Sequence, residues 1–150
     1  MTAPGDFTAG DVLQASDMNA LPGGIIAGGY YASTDPTVGS SAVALASFTA
    51  TTYTDRRYLI YGSTFIYDGT TNQFGIIQID RVGLVTLQQA QGILSIYSGG
   101  RHSFTPMREF TGTGNNETYE ISGWVSTGSA NVSRSGARGL TFCLMDIGAA

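Results

Sequence analysis

The chain contains no lysine. Its seven basic residues are all arginine, at positions 56, 57, 81, 101, 108, 134 and 138. Charged residues make up 12% of the sequence, about half the roughly 25% of an ordinary soluble domain. The net charge is −4, and no basic cluster exceeds the pair Arg56-Arg57. A nucleic-acid partner is therefore not expected, because phosphate binding needs a basic stripe. Arginine without lysine suits bidentate and interface contacts, although a GC-rich coding sequence produces the same bias.

Cysteine and histidine are nearly absent too. Cys143 is the single cysteine, which excludes an intramolecular disulfide and any cysteine-based zinc pattern. It sits in the apolar run Leu140 to Met145 and reads as a small buried hydrophobe. The single histidine is His102, so a serine triad or a Cys-His dyad would have to use it. No G-x-S-x-G elbow accompanies it. Long apolar runs are missing: the longest, residues 24–32, is far shorter than the roughly 20 residues of a membrane-spanning helix. Residues 1–6 carry neither a basic nor an apolar stretch of the kind a secretory signal needs. A protein made in the cytoplasm, with no membrane insertion, is expected.

What the chain has in abundance is glycine, hydroxyl residues and aromatics: 21 Gly, 8 Tyr, 7 Phe and 1 Trp in 150 residues. From Gly24 onward short apolar runs alternate with turn chemistry at about ten-residue spacing. Residues 58–67 form the clearest strand. Tyr58, Ile60, Thr64 and Ile66 share one face, and Leu59, Tyr61, Phe65 and Tyr67 the other. Both faces are partly apolar, so this strand is expected to be central and covered on both sides. Residues 68–72 read as a hairpin loop joining it to a strand at 74–82. Pro106 should interrupt a strand over 101–110. Residues 117–126 alternate cleanly, and 139–147 form a buried last strand. Val43, Leu45 and Phe48 are expected to point inward from a strand over 42–52. The pattern predicts an all-β fold, an antiparallel β-sandwich or jelly roll of about eight strands over residues 25–150. So many aromatics on both faces of the strands exceed what one small sandwich can bury, which points to a subunit interface.

Residues 1–24 differ from that body. Ser16 can cap a helix, residues 18–21 can wind one turn, and Pro22-Gly23-Gly24 stops it. One turn is unstable alone in water. The segment nevertheless carries Phe7, Val12, Leu13, Met18 and Leu21, and it reads as an N-terminal docking arm that lies on a partner.

Little catalytic chemistry is legible. Asp68, Asp80 and Asp146 could pair with Glu109, Glu117 or Glu120, but loop and strand-end acids are more often solvated or bound to arginine. The glycine pairs lack phosphate-loop spacing. Nothing requires a cofactor or a metal, and a non-enzyme is expected. Asn115, Asn116, Tyr119 and Trp124 are the candidate ligand-facing residues, since an aromatic beside amides could hold a glycan.

Three segments carry a family resemblance. Phe7-Thr-Ala-Gly-Asp-Val-Leu-Gln-Ala-Ser-Asp-Met-Asn19 resembles the F-x-A-G-x-x-L-T-A-x-x-(M/L)-N opening of many virion proteins of tailed phages of high-GC actinobacteria, with Gln14 where Thr is commoner. Leu140 to Gly148 resembles their L-x-V-x-D-I-G ending, and Gly100-Arg-His-Ser-Phe104 their G-x-H-x-F strand. The resemblance implies a small β-rich structural protein of the virion, often a homotrimer, fastened by its arm to the major capsid protein or to a tail protein. A capsid decoration or head fibre is one implied role. A minor tail or tail-fibre protein, receptor- or glycan-binding, is the other.

Overall fold

The computed structural model describes residues 23–69, 73–93, 100–134 and 139–150. The helical turn expected over 16–21, and the arm residues Phe7, Val12, Leu13, Met18 and Leu21, lie outside the described residues. Among the described residues there is no helix, only strands and their connections.

Eleven strands follow in order: β1 (Gly24–Tyr31), β2 (Thr37–Val38), β3 (Val43–Thr51), β4 (Arg56–Tyr67), β5 (Phe74–Arg81), β6 (Val85–Ile93), β7 (Arg101–Phe104), β8 (Met107–Thr111), β9 (Asn116–Val125), β10 (Ala130–Val132) and β11 (Leu140–Ala149). They form two antiparallel sheets. One has seven strands in the order β1-β11-β4-β10-β2, with β7 and β8 also paired to β4; the other is β3-β9-β5-β6. The sheets face one another in a sandwich-like arrangement. Phe48 on β3 meets Phe142 on β11 at 4.7 Å between ring centroids, and Phe110 on β8 meets Tyr119 on β9 at 5.9 Å. Between them lies a core of Ile60, Ile66, Ile77, Ile79, Tyr119, Ile121, Leu140, Phe142 and Leu144, all fully buried. Apolar burial of this kind contributes about 25 cal/mol per Å², and the alternation of each strand directs it inward.

β4 is the centre of the larger sheet, as its two-sided pattern predicts. Its even-numbered side chains from Tyr58 to Ile66 are buried, and its odd-numbered ones from Leu59 to Tyr67 are half-buried on the opposite, outer face. The 68–72 hairpin is overturned. β4 and β5 belong to different sheets, so the chain arches from one sheet to the other. β4 is already hydrogen-bonded to β11 and β10 on one side and to β8 and β7 on the other, so no edge is left for β5. Asp68 adopts φ 54° at the exit, a left-handed conformation that short polar side chains tolerate.

Pro106 does break its strand, separating β7 from β8, while its carbonyl accepts the Gly62 amide at 2.9 Å. Leu45 on β3 is fully buried and interrupts the ladder between Ala44 and Ala46. Such a bulge shifts the facing of the strand by one residue, and this is why Leu45 and Phe48 both point inward. At Gly28, φ is 78°, and a Cβ would strike the Phe142 carbonyl and Cys143 Cα. β1 can approach β11 this closely only with glycine there.

Candidate functional site

The two outer sheet faces differ in chemistry. On the smaller sheet, register places Ser122 opposite Gln78, Gln78 opposite Gln89, and Glu120 opposite Asp80. Gln78 Nε2 donates to both Asp80 carboxylate oxygens at 2.9 and 2.8 Å, and Gln89 Nε2 donates to Gln78 Oε1 at 3.2 Å. Thr49 and Thr118 share a hydroxyl hydrogen bond at 3.0 Å on the same face. This face is a ladder of amides, hydroxyls and carboxylates. At its end, Trp124 lies beside Ile76, half-buried.

The outer face of the larger sheet is apolar at its centre. Leu59 stands opposite Met145 on β11 and Glu109 on β8. Tyr61 stands opposite Cys143 and Met107. Ile25 on β1 stands opposite Met145. Ile25 and Met107 are 62% and 53% exposed. Among the described residues, charge stands on the edge strand β8, where Glu109 flanks Leu59, and near the ends of β4. Arg57 bonds Glu109 at one end. At the other, Arg101 lies over the Tyr67 ring at 5.7 Å, and Tyr67 donates to Asp35 at 2.5 Å. That bond to a carboxylate pushes the Tyr67 hydroxyl up to about 12.

The candidate ligand-facing residues do not form one patch. Asn115 and Asn116 are exposed at the start of β9. Asn116 Oδ1 accepts from Thr51 at 3.3 Å. Trp124 lies at the other end of the same strand, about 26 Å away at 3.3 Å per residue. Tyr119 is not on the surface at all. It is fully buried, and its hydroxyl donates to Glu117 at 3.2 Å. Burial first, and then the Glu117 charge, push its pKa up to about 12. Its position in the inward set 119, 121, 125 of β9 follows from alternation.

Asp146, Glu117, Asp68 and Asp80 are engaged in structural contacts. Asp146 pairs with Arg56 at 2.6 Å and accepts the Gly148 amide at 2.9 Å. Glu117 pairs with Arg81 at 3.5 Å, and Asp68 accepts from Asn131 at 3.4 Å. Asp80 and Glu120 line a shallow groove of about 340 Å³ with the turn 81–86, but the Gln78 amide holds Asp80. Among the described residues no three of His, Cys, Asp and Glu converge as metal ligands. His102 is exposed, packed against the Phe104 ring at 5.3 Å. Cys143 is buried, and burial raises its thiol pKa, the opposite of what a nucleophile needs.

The sequence pattern gives no signal for the Gln78–Gln89 row, because cross-strand partners depend on register. Among the described residues no helix is long and apolar enough to cross a membrane. No family model matches the chain, and no curated protein matches it.

Proposed function

We propose that this chain is a structural protein of a tailed bacteriophage virion, a trimeric capsid-decoration or head-fibre protein. It is made in the host cytoplasm and fastened to the particle by residues 1–24. Its partners are copies of itself and the major capsid protein. It works by shape and burial, without catalysis, cofactor or nucleic-acid contact.

The observation that carries the reading is a fastening-type sequence joined directly to a compact β body. The opening Phe7 to Asn19 resembles virion-protein arms, and the chain then enters β1, an edge strand. The strand order of that body supports a jelly roll. β1-β11-β4 with β7 and β8 faces β3-β9-β5-β6, and the chain crosses between the sheets at six of its ten steps, the kind of connection that jelly rolls use. Asp146, Glu117 and Asp80 support a scaffold over an enzyme, since arginines and an amide hold them.

Quantitative mass spectrometry of purified particles tests the location. Hundreds of copies per particle are expected, and a handful would move the protein to the tail. Chains lacking residues 1–22 should fold but fail to join particles. Normal incorporation would overturn the docking role of the arm.

A second reading, a minor tail or tail-fibre protein that binds a host-surface glycan, is favoured by the pre-ordered Gln89–Gln78–Asp80 row with Trp124 on the same face. Aromatics stack on sugar faces, and fixed amides and carboxylates suit vicinal hydroxyls. A glycan array reads it: binding lost in Trp124→Ala supports it, and no binding leaves the scaffold reading alone.

A further inference from the structure

We infer that the outer face of β1-β11-β4-β8 is where copies of this chain meet, with its apolar centre turned toward the assembly axis. The inference rests on the trimeric reading and names its surface.

The face has the anatomy of an interface: apolar centre and polar rim. Leu59, Tyr61, Met145, Met107 and Ile25 lie on adjacent strands in direct register. Glu109 stands on the edge strand β8 beside Leu59 and pairs with Arg57 near the start of β4, and the Arg101–Tyr67–Asp35 cluster stands at its far end. The other outer face carries its hydrogen-bonding groups at its centre and is suited to water.

Size agrees. Four strands about 4.8 Å apart, over some nine residues rising about 3.3 Å each, span about 600 Å² in projection. Side-chain relief brings the whole face toward about 800 Å², the area one partner gives to a standard interface, here divided between the two neighbours of a closed trimer.

The occupant is a second copy. A patch neutral at its centre, on a chain with 12% charged residues, gains from burial and not from steering. Its rim holds both signs, Arg57 beside Glu109 and Arg101 near Asp35, so the rim of one copy can oppose that of another without like-charge contact. Closed threefold contact needs two different patches per copy. The two sides of this face provide them: Ile25 on β1, and Met107 on β8, with Leu59 and Met145 between.

The test is the mass of the full chain by light scattering, with Met107→Arg and Leu59→Arg as variants and Thr49→Arg, on the polar face, as control. The wild type and the control should have about 47 kDa, three times the 15.7 kDa chain. Each face variant should fall threefold to monomer with its β-sheet circular dichroism kept. A monomeric wild type overturns both the trimeric reading and this surface. A trimer that survives both face substitutions overturns the surface alone. Peroxide oxidation of the wild type needs no variant. Met107 should be several-fold slower to oxidise when assembled than after dilution to monomer. Equal rates, or protection that persists in the monomer because the chain covers its own face, overturn the inference.

Discussion

Gly62 on β4 packs directly against Ile121 of the facing sheet, on β9. A Cβ on Gly62 would stand 2.5 Å from Ile121 Cδ1, with Ile79 Cδ1 and Pro106 Cγ at 3.5 Å. The contact lies in the fully buried core, where packing is as dense as in an organic crystal. Gly62 therefore sets the sheet spacing that lets Ile79 and Ile121 fill the interior.

Gly62→Val should accordingly destabilise the fold. The added methyls enter a filled site, and overpacking of this kind costs about 1–3 kcal/mol. Urea denaturation measures it as a lower midpoint at unchanged slope. Pairing with Ile121→Ala should recover part of the loss, because it removes the atom that clashes. An additive double variant would show that the two positions do not share the space.

The end of β11 is held by a different kind of contact. Arg56 donates Nε to Asp146 at 2.8 Å, with both side chains largely removed from water at 14% and 12% exposure. Asp146 also takes the Gly148 amide at the bulge that follows it. Asp146→Ala takes the carboxylate away from a mostly buried guanidinium and from one amide. The expected loss is about 3 kcal/mol, the low end for breaking a buried pair. Replacing both partners, with Arg56→Met added, should cost less than Asp146→Ala alone. A double-mutant cycle by denaturation reads the difference.

How far these contacts are legible in the sequence depends on whether they are local. The alternation of β4 and β9 fixes which of their residues face the core, and its position along β9 alone assigns Tyr119 to the inward set. The break at Pro106 follows from its missing amide hydrogen. The connection at 68–72 departs from the expected hairpin because turn residues signal only that a chain reverses. Whether it reverses within a sheet or between sheets depends on which edges are free, and β4 has none. Likewise Trp124 and Asn116 are close in sequence but at opposite ends of one strand, while Gln78 and Gln89 are adjacent only through the β5–β6 register. The outer-face set Leu59, Tyr61, Phe65 and Tyr67 is visible in the sequence as a second apolar stripe. In the folded chain it is half-buried instead of fully covered.

Cys143 offers a check on that face. It is paired with Tyr61 on the outer side of the larger sheet, yet only 4% exposed, and burial raises its thiol pKa. Thiolate is the reactive form, so the native protein should resist iodoacetamide at neutral pH and take up one adduct per chain once unfolded in urea. Intact-mass measurement before and after unfolding distinguishes the two. Full labelling of the native protein would contradict the burial of this strand.

Alkali should weaken the fold through Tyr119. In the unfolded chain its hydroxyl titrates near the ordinary value of about 10. In the folded chain burial and the Glu117 charge raise it to about 12. The fold thus favours the neutral phenol. Its contribution is complete below about pH 10, falls as the unfolded chain begins to ionise, and is gone above about pH 12. A shift of that size corresponds to about 1–3 kcal/mol at 1.36 kcal/mol per pH unit. Tyr119→Phe keeps the ring against Phe48 and Phe110 and removes the ionisation. Its stability should fall less steeply over the same window. Tyr67 shares the raised value, but because its hydroxyl donates to Asp35, and it sits at a half-exposed rim. Tyr67→Phe should therefore leave most of the alkaline loss in place. Urea midpoints for the three proteins from about pH 9 to about pH 12 separate these contributions. An unchanged alkaline slope in Tyr119→Phe would assign the loss to another group.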